Sequence, residues 1–173
     1  MGNLKSKLFF SLSSMTAEVI KILQLFSTHD LVWKPESWDG IPGERFSAIE
    51  QICHLNDIER NEYHLHIQAI LNENYPILKT IDYKLSIQKD YQNVKLSEVI
   101  YDFYNARKKT LVMIEEIDES KWNRIAYFEG YGNITLKSLI HILCSHDFEH
   151  LSSLRWLLGK IETEKLNKEN INN

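Results

Sequence analysis

Apolar residues recur every three or four positions in four stretches of the chain, the spacing that places them on one face of an α-helix. In the first stretch this face consists of Leu4, Leu8, Leu12, Met15, Val19, Ile22, Leu23 and Phe26. The pattern predicts helices over about residues 3–27, 47–71, 96–117 and 135–158. Two of the predicted starts carry N-terminal capping residues, namely the capping box Ser47-Ala48-Ile49-Glu50 and Thr135.

The connections between the predicted helices are long. Residues 28–45 hold two of the three prolines and two of the four tryptophans, which indicates a loop. About 25 residues separate the second helix from the third, more than adjacent antiparallel helices need, and this favours at least one crossover. We therefore predict an all-α fold, a four-helix bundle with long crossover connections. The bundle forms one domain over residues 1–160, and the charged tail of residues 161–173 is expected to fray.

Composition and charge narrow the class of protein. A net charge of -4 and a pI near 6.0 argue against a nucleic-acid partner, and basic residues are scattered along the chain. The sequence has no apolar run long enough to span a membrane, and its first residues do not resemble a signal peptide. The two cysteines, Cys53 and Cys144, are interpreted as reduced, small core residues, so a cytoplasmic protein is expected.

Candidate metal chemistry lies in the predicted fourth helix. His146 and His150 are four residues apart, so their imidazoles lie on the same side of the helix and could bind one metal ion. Helical geometry places both at the edge of the apolar face. The alternative is that they are two amphipathic residues at the rim of the core. Asp147 projects close to the centre of the apolar face, where a charge needs a partner.

A third ligand would have to come from elsewhere in the chain. His54 lies about one and a half turns into the second helix and can face the fourth helix if the two pack together. His29 lies in a loop and remains a second candidate. His141 points about 140° away from His146. His64 and His66, near the far end of the second helix, are expected at the surface.

Two stretches of the chain resemble the DinB/YfiT-like superfamily. Residues 46–59 read FSAIEQICHLNDIE, similar to the family pattern aromatic-Ser-x-x-Glu-x-x-x-His-Leu-x-x-x-Glu. Residues 131–154 read YGNITLKSLIHILCSHDFEHLSSL, similar to the family's last helix with its Gly-x-x-Thr-Leu start and His-x-x-x-His core. The linking helix, NARKKTLVMIEEIDESKW, also fits, so the resemblance extends over about residues 31–158.

The resemblance implies a four-helix bundle of the DinB type, often a homodimer. It also implies a divalent metal ion bound by one histidine of the second helix and two of the fourth, which correspond to His54, His146 and His150. Members of the superfamily include transferases that use the thiols bacillithiol or mycothiol, a maleylpyruvate isomerase, and many proteins with no assigned reaction.

Three imidazoles with an open fourth position suit a catalytic metal ion, with zinc or nickel expected. Asp147 could orient a ligand histidine or pair with Arg107, which falls on the inward side of the third helix. Burial of Asp147 with a hydrogen bond to a helix end, and a snorkelling or interface Arg107, are the simpler interpretations.

The leading functional hypothesis is a metal-dependent transferase that acts on a small molecule with a low-molecular-weight thiol. The alternatives are a metal-dependent hydrolase of a small substrate, and a non-catalytic metal-binding protein induced under stress.

Overall fold

The computed structural model describes residues 4–80, 91 and 94–171 of the chain. Within these residues the α-helices are α1 (Leu4–Leu23), α2 (Thr28–Leu31), α3 (Ala48–Ile58), α4 (His64–Asn72), α5 (Leu96–Glu116) and α6 (Leu136–Ile171). A single turn of π-helix, Glu59–Tyr63, directly joins α3 to α4. The four long helical segments α1, α3–α4, α5 and α6 pack as a four-helix bundle, as the apolar pattern predicts.

Two apolar clusters fill the bundle. One contains Leu12, Ile67, Ile114 and Leu139, all almost inaccessible to solvent, together with neighbours from the same helices. The other contains Val19, Ile52, Phe103 and Leu154. Along each helix the two clusters occupy different segments. The buried polar residues Arg107 and Thr110 of α5, and Asp147 and His150 of α6, lie between them in sequence. The burial of these clusters provides the main stabilisation of the fold.

The starts of the helices follow the predicted capping residues. The Ser47 backbone N–H donates to Glu50 Oε2 at 2.8 Å, which is half of the capping box at the start of α3. Thr135 Oγ1 accepts from the Ser138 backbone N–H at 3.1 Å and caps α6. The helix α1 ends at Leu23, before the predicted end, because Ser27 caps the next helix by accepting from the Asp30 N–H at 3.2 Å.

A small three-stranded sheet covers one end of the bundle, where the sequence predicted only loops. The strand β1 (Ile77–Leu78) pairs in parallel with β2 (Ile125–Phe128), which pairs antiparallel with β3 (Gly132–Thr135). Alternate residues of β2 point inward, so Ala126 and Phe128 are buried in the first apolar cluster. Gly130 and Gly132 have φ values of 85° and 79°, a left-handed conformation that permits the tight β2–β3 turn.

The charged tail is helical instead of frayed as far as Ile171. Its Glu and Lys residues favour helix, and Lys165 Nζ contacts Asp30 Oδ2 at 3.0 Å, which ties the tail to α2. The second predicted connection lies partly outside the described residues, at positions 81–90, 92 and 93. In the part of the chain that is described, none of the helices has an apolar stretch long enough to cross a membrane.

Candidate metal centre

Three histidines from two helices meet between α3 and α6. His54 Nε2 lies 3.3 Å from His146 Nε2, and His146 Nε2 lies 3.1 Å from His150 Nε2. The three nitrogens all lie within 4.8 Å of one another. Two ligands of a tetrahedral ion with bonds of about 2.1 Å are roughly 3.4 Å apart, so this spacing is compatible with one shared ion.

Local structure brings the rings together. His146 and His150 are one turn apart on α6, and their ring centroids are 4.4 Å apart. His54 faces them because α3 packs against α6, and the Phe46 ring lies 5.2 Å from the His54 ring. The structure therefore joins the three histidines that the sequence singled out. The other candidate, His29, is exposed and lies outside this group, as is His141.

Gln51 fixes the orientation of His150. The His150 Nδ1 is hydrogen-bonded to Gln51 Oε1, an oxygen that can only accept, so Nδ1 carries the proton and Nε2 presents its lone pair to the centre. The amide nitrogen of Gln51 donates to the carbonyl oxygens of Glu44 and Phe46, both at 3.4 Å. Gln51 was not predicted as a site residue. Its position three residues before His54, on the same face of α3, is the signal that could have identified it.

Burial keeps all three imidazoles neutral at physiological pH. Loss of solvation lowers the pKa of His54 to about 4 and that of His146 to about 3, and it holds the pKa of His150 well below its usual range. The nearby imidazoles further lower the pKa values of His146 and His150. Neutral imidazoles are the form that binds metal ions, so this group fits a divalent ion without first losing protons.

A buried ion-pair network lies beside the histidines. Arg107 donates to both carboxylate oxygens of Glu59, at 2.8 and 2.9 Å, and to Asp147 Oδ2 at 2.5 Å. Each of the three side chains is at most 2% exposed. The prediction of a snorkelling or interface Arg107 is therefore wrong, since two carboxylates compensate the buried guanidinium. For Asp147 the structure shows the pairing with Arg107, one of the alternatives considered.

The charges in this network support one another. Burial alone would lower the pKa of Arg107. The negative charges of Asp147 and Glu59 have the larger combined effect and raise that pKa. Burial raises the pKa of Asp147, and the Arg107 charge opposes this rise. The guanidinium thus remains protonated and anchors α5 to both α3–α4 and α6.

His64 and His66 are buried, contrary to the expectation that they lie at the surface. His64 Nε2 lies 3.0 Å from both the Ala106 carbonyl oxygen and Thr110 Oγ1, and Thr110 donates in turn to Glu59. His66 Nε2 lies 3.0 Å from the Lys79 carbonyl oxygen. The reason is the π-helical turn: the His64 N–H bonds to the Glu59 carbonyl five residues earlier, which rotates the following residues relative to a regular helix.

The two cysteines behave as predicted core residues. Cys53 and Cys144 are buried in different apolar clusters and are not joined by a disulfide. Burial raises the pKa of the Cys144 thiol, which disfavours the reactive thiolate.

A cleft of about 190 Å³ opens beside the histidines. His54 and His146 form part of its wall, and the other described lining residues are Glu44, Ile58, Glu62, Tyr63, Thr80, Phe128, Tyr131 and Ile142. The stacked rings of Phe128 and Tyr131, with centroids 5.0 Å apart, come from the unpredicted sheet and its turn. The cleft therefore combines an apolar wall with direct access to the imidazoles of His54 and His146.

Glu44 at the edge of this cleft was also not predicted as a site residue. Its Oε2 lies 3.7 Å from His150 Nε2. Burial raises the pKa of the Glu44 carboxyl, and the nearby Glu149 charge adds to the rise.

The fold is similar to that of a solved bacterial protein. YfiT from Bacillus subtilis superposes with a TM-score of 0.79 at 17% sequence identity, over 91% of this chain and 87% of that chain. That protein is described as a probable metal-dependent hydrolase with an unusual four-helix bundle topology. No curated protein matches the chain. The profile of the DinB superfamily matches residues 11–154, most of the chain, and the protein therefore belongs to the DinB superfamily.

Proposed function

We propose that His54, His146 and His150 bind one divalent metal ion, zinc or nickel, and that this ion serves the hydrolysis of a small molecule held in the adjacent cleft. The observation that carries the proposal is the convergence of three neutral imidazole nitrogens, from the buried His54 and His150 and the half-buried His146, at distances of 3.1 and 3.3 Å. Imidazole ligands suit both zinc and nickel. Three protein ligands leave a position open, as in catalytic zinc sites.

Each part of the site has a distinct task in this proposal. A divalent ion bound to three neutral ligands acts as a Lewis acid, which polarises a carbonyl group and lowers the pKa of a water or thiol that binds it. Gln51 holds the His150 ring so that its Nε2 lies beside His146 Nε2, where both nitrogens would bind the ion. The aromatic wall of Phe128 and Tyr131 binds the apolar part of the substrate and excludes bulk water. The similarity to YfiT, described as a probable metal-dependent hydrolase, supports hydrolysis as the reaction.

Transfer to or from a low-molecular-weight thiol is the second candidate. The three imidazoles are neutral, so a bound ion keeps its full positive charge and can activate a thiol as well as water. In both reactions the substrate is a small molecule, because the cleft is only about 190 Å³ in volume. A purely metal-binding stress protein would not need such a cleft beside its ligands, which makes it the weakest of the three hypotheses.

Two steps test the proposed function. Elemental analysis of gently purified protein should show about one zinc or nickel ion per chain, or the metal-free protein should take up one. The loaded protein is then assayed on uncharged esters and amides, with and without added thiols. Turnover without thiol supports the hydrolase, and turnover only with thiol supports the transferase. Failure to bind any transition metal would contradict both.

We also propose that the protein is a homodimer, which rests on the family resemblance. The tryptophan-containing loop offers no independent support, since Trp38 stacks on Trp156 of the same chain with ring centroids 6.1 Å apart. Light scattering at micromolar concentration should give twice the chain mass of 20.4 kDa. A monomer mass at that and higher concentrations would contradict the dimer.

A further inference from the structure

The carboxylate of Glu44 occupies an unusual position. Its Oε2 is buried and accepts no hydrogen bond within the described part of the chain, and it lies 3.7 Å from His150 Nε2. The side chain as a whole is 26% exposed, because its other atoms line the cleft that leads to His54 and His146. Leaving a carboxylate oxygen buried without a hydrogen bond is costly, so such groups often have a functional reason.

The backbone around Glu44 is held in place by the same residue that orients His150. The Glu44 carbonyl oxygen accepts from Gln51 Nε2 at 3.4 Å and from the Phe46 N–H at 2.8 Å. Gln51 is fully buried and also bonds to His150 Nδ1. Glu44 and His150 are therefore positioned by one shared amide, which keeps the carboxylate close to the imidazole group.

Gly43 makes room for a second carboxylate nearby. A side-chain carbon at Gly43 would lie 2.7 Å from Glu149 Oε1, so only glycine lets Glu149 approach this loop without a shift. Glu149 is exposed and does not line the cleft, whereas Glu44 does. The two residues thus carry the same charge at different positions relative to the histidines.

We propose that Glu44 is a specificity-determining residue that disfavours anionic ligands at the open side of the three histidines. The inference rests on the proposed metal site and deepens it, because it names the substrate class. Like charges that are close together repel strongly in a partly buried site. The substrate is then a small molecule that is uncharged or positively charged next to its reacting group, for example a neutral ester or amide. A thiol or ester with a carboxylate beside the reacting atom is disfavoured.

Azide binding to the cobalt-loaded protein tests this selectivity without using activity. Cobalt(II) replaces zinc and reports ligand binding through its visible absorption spectrum. Glu44→Gln removes the charge and should raise the azide affinity by about tenfold, whereas Glu44→Asp keeps the charge and should stay within about twofold of the parent. The matched control is Glu149→Gln, which makes the same change of net charge away from the cleft and should raise the affinity by less than about twofold.

The outcomes separate this inference from the proposed function. If the parent protein binds no cobalt, the proposed metal site itself fails. If cobalt binds but Glu44→Gln and Glu149→Gln have equal azide affinities, the role of Glu44 is wrong while the metal site stands. A loss of cobalt affinity of about tenfold or more in Glu44→Gln would also overturn the inference, since Glu44 would then be a ligand. If azide changes the visible spectrum of none of the cobalt-loaded proteins, anions do not reach the open side of the three histidines, and the inference is wrong.

Discussion

At the scale of single residues, Gln51 is expected to control metal affinity without touching the ion. Gln51→Ala removes the acceptor of the His150 Nδ1–H, so the imidazole loses its fixed tautomer and orientation. We expect zinc affinity to fall by about tenfold to a hundredfold, measured by competition with a chelating dye.

The matched control for Gln51→Ala is Gln68→Ala, a change of the same residue type at an exposed position on α4. This variant should bind zinc as tightly as the parent. Equal affinities in Gln51→Ala and Gln68→Ala would show that the hydrogen bond to His150 has no part in metal binding.

The buried histidines also predict how stability depends on pH. The pKa of His54 is lowered by burial to about 4 and that of His146 to about 3 in the native state, against 6.5 for an exposed histidine. Below pH 6.5 the unfolded chain therefore binds more protons than the native protein, and stability falls as the pH falls towards 4. Each of these histidines should reduce the free energy of unfolding by about 1.4 kcal/mol per pH unit in this window.

Urea unfolding of the metal-free protein between pH 7.5 and about pH 4.5 measures this dependence. Replacing one of these histidines, as in His146→Gln, should make the free energy of unfolding depend less steeply on pH. The control His141→Gln changes an exposed residue of the same helix and should leave this dependence unchanged. A slope that is the same in the parent and in His146→Gln would contradict the neutral, buried state of the group.

At the scale of helices, Arg107 joins three elements of the bundle. Its guanidinium on α5 binds Glu59 in the π-helical turn and Asp147 on α6. Arg107→Met would leave two buried carboxylates without a cation, and the free energy of unfolding should fall by about 3–5 kcal/mol. The measurement is chemical denaturation at neutral pH.

Lys108→Met is the control for Arg107→Met, since Lys108 is the exposed neighbour on the same helix. It should change the free energy of unfolding by no more than about 0.5 kcal/mol. If Arg107→Met lowers the free energy of unfolding by less than about 1 kcal/mol, the attraction in these ion pairs does no more than compensate the cost of removing the charges from water.

Periodicity predicted the long helices well but not the turn that interrupts one of them. The apolar residues of 47–71 cover most of the helix circumference, so the pattern could not show that Glu59–Tyr63 forms a wider turn. That turn depends on partners distant in sequence, because Glu59 binds Arg107 and His64 bonds to Thr110. The local sequence pattern therefore predicted that His64 and His66 are exposed, whereas tertiary contacts bury them.

The site was predictable only in part for the same reason. His54, His146 and His150 stand out because two share one turn and all three match family motifs, and the structure brings them together. Gln51 offers only its position on the same face of α3 as His54, and Glu44 offers no signal, since their roles arise from hydrogen bonds and distances between separate segments. The sheet was missed because its strands span only two to four residues, too short for an alternating pattern to be clear.

At the scale of the whole molecule, the bundle provides a rigid frame for a polar centre. Apolar clusters pack towards both ends of the helices, and between them lies a polar layer that contains Arg107, its two carboxylates and the three histidines, of which only His146 is half-buried. The sheet adds the aromatic wall of the cleft on one side. A site preformed in this way loses little entropy when an ion binds, which favours tight binding.

Calorimetric titration of zinc into metal-free single variants tests whether His54, His146 and His150 together form one metal site. The parent should bind about one zinc per chain, and His54→Ala, His146→Ala and His150→Ala should each lose at least about a hundredfold in affinity. The exposed controls His141→Ala and His29→Ala should bind like the parent. Zinc binding by His54→Ala with the affinity of the parent protein would contradict a site built from these three histidines.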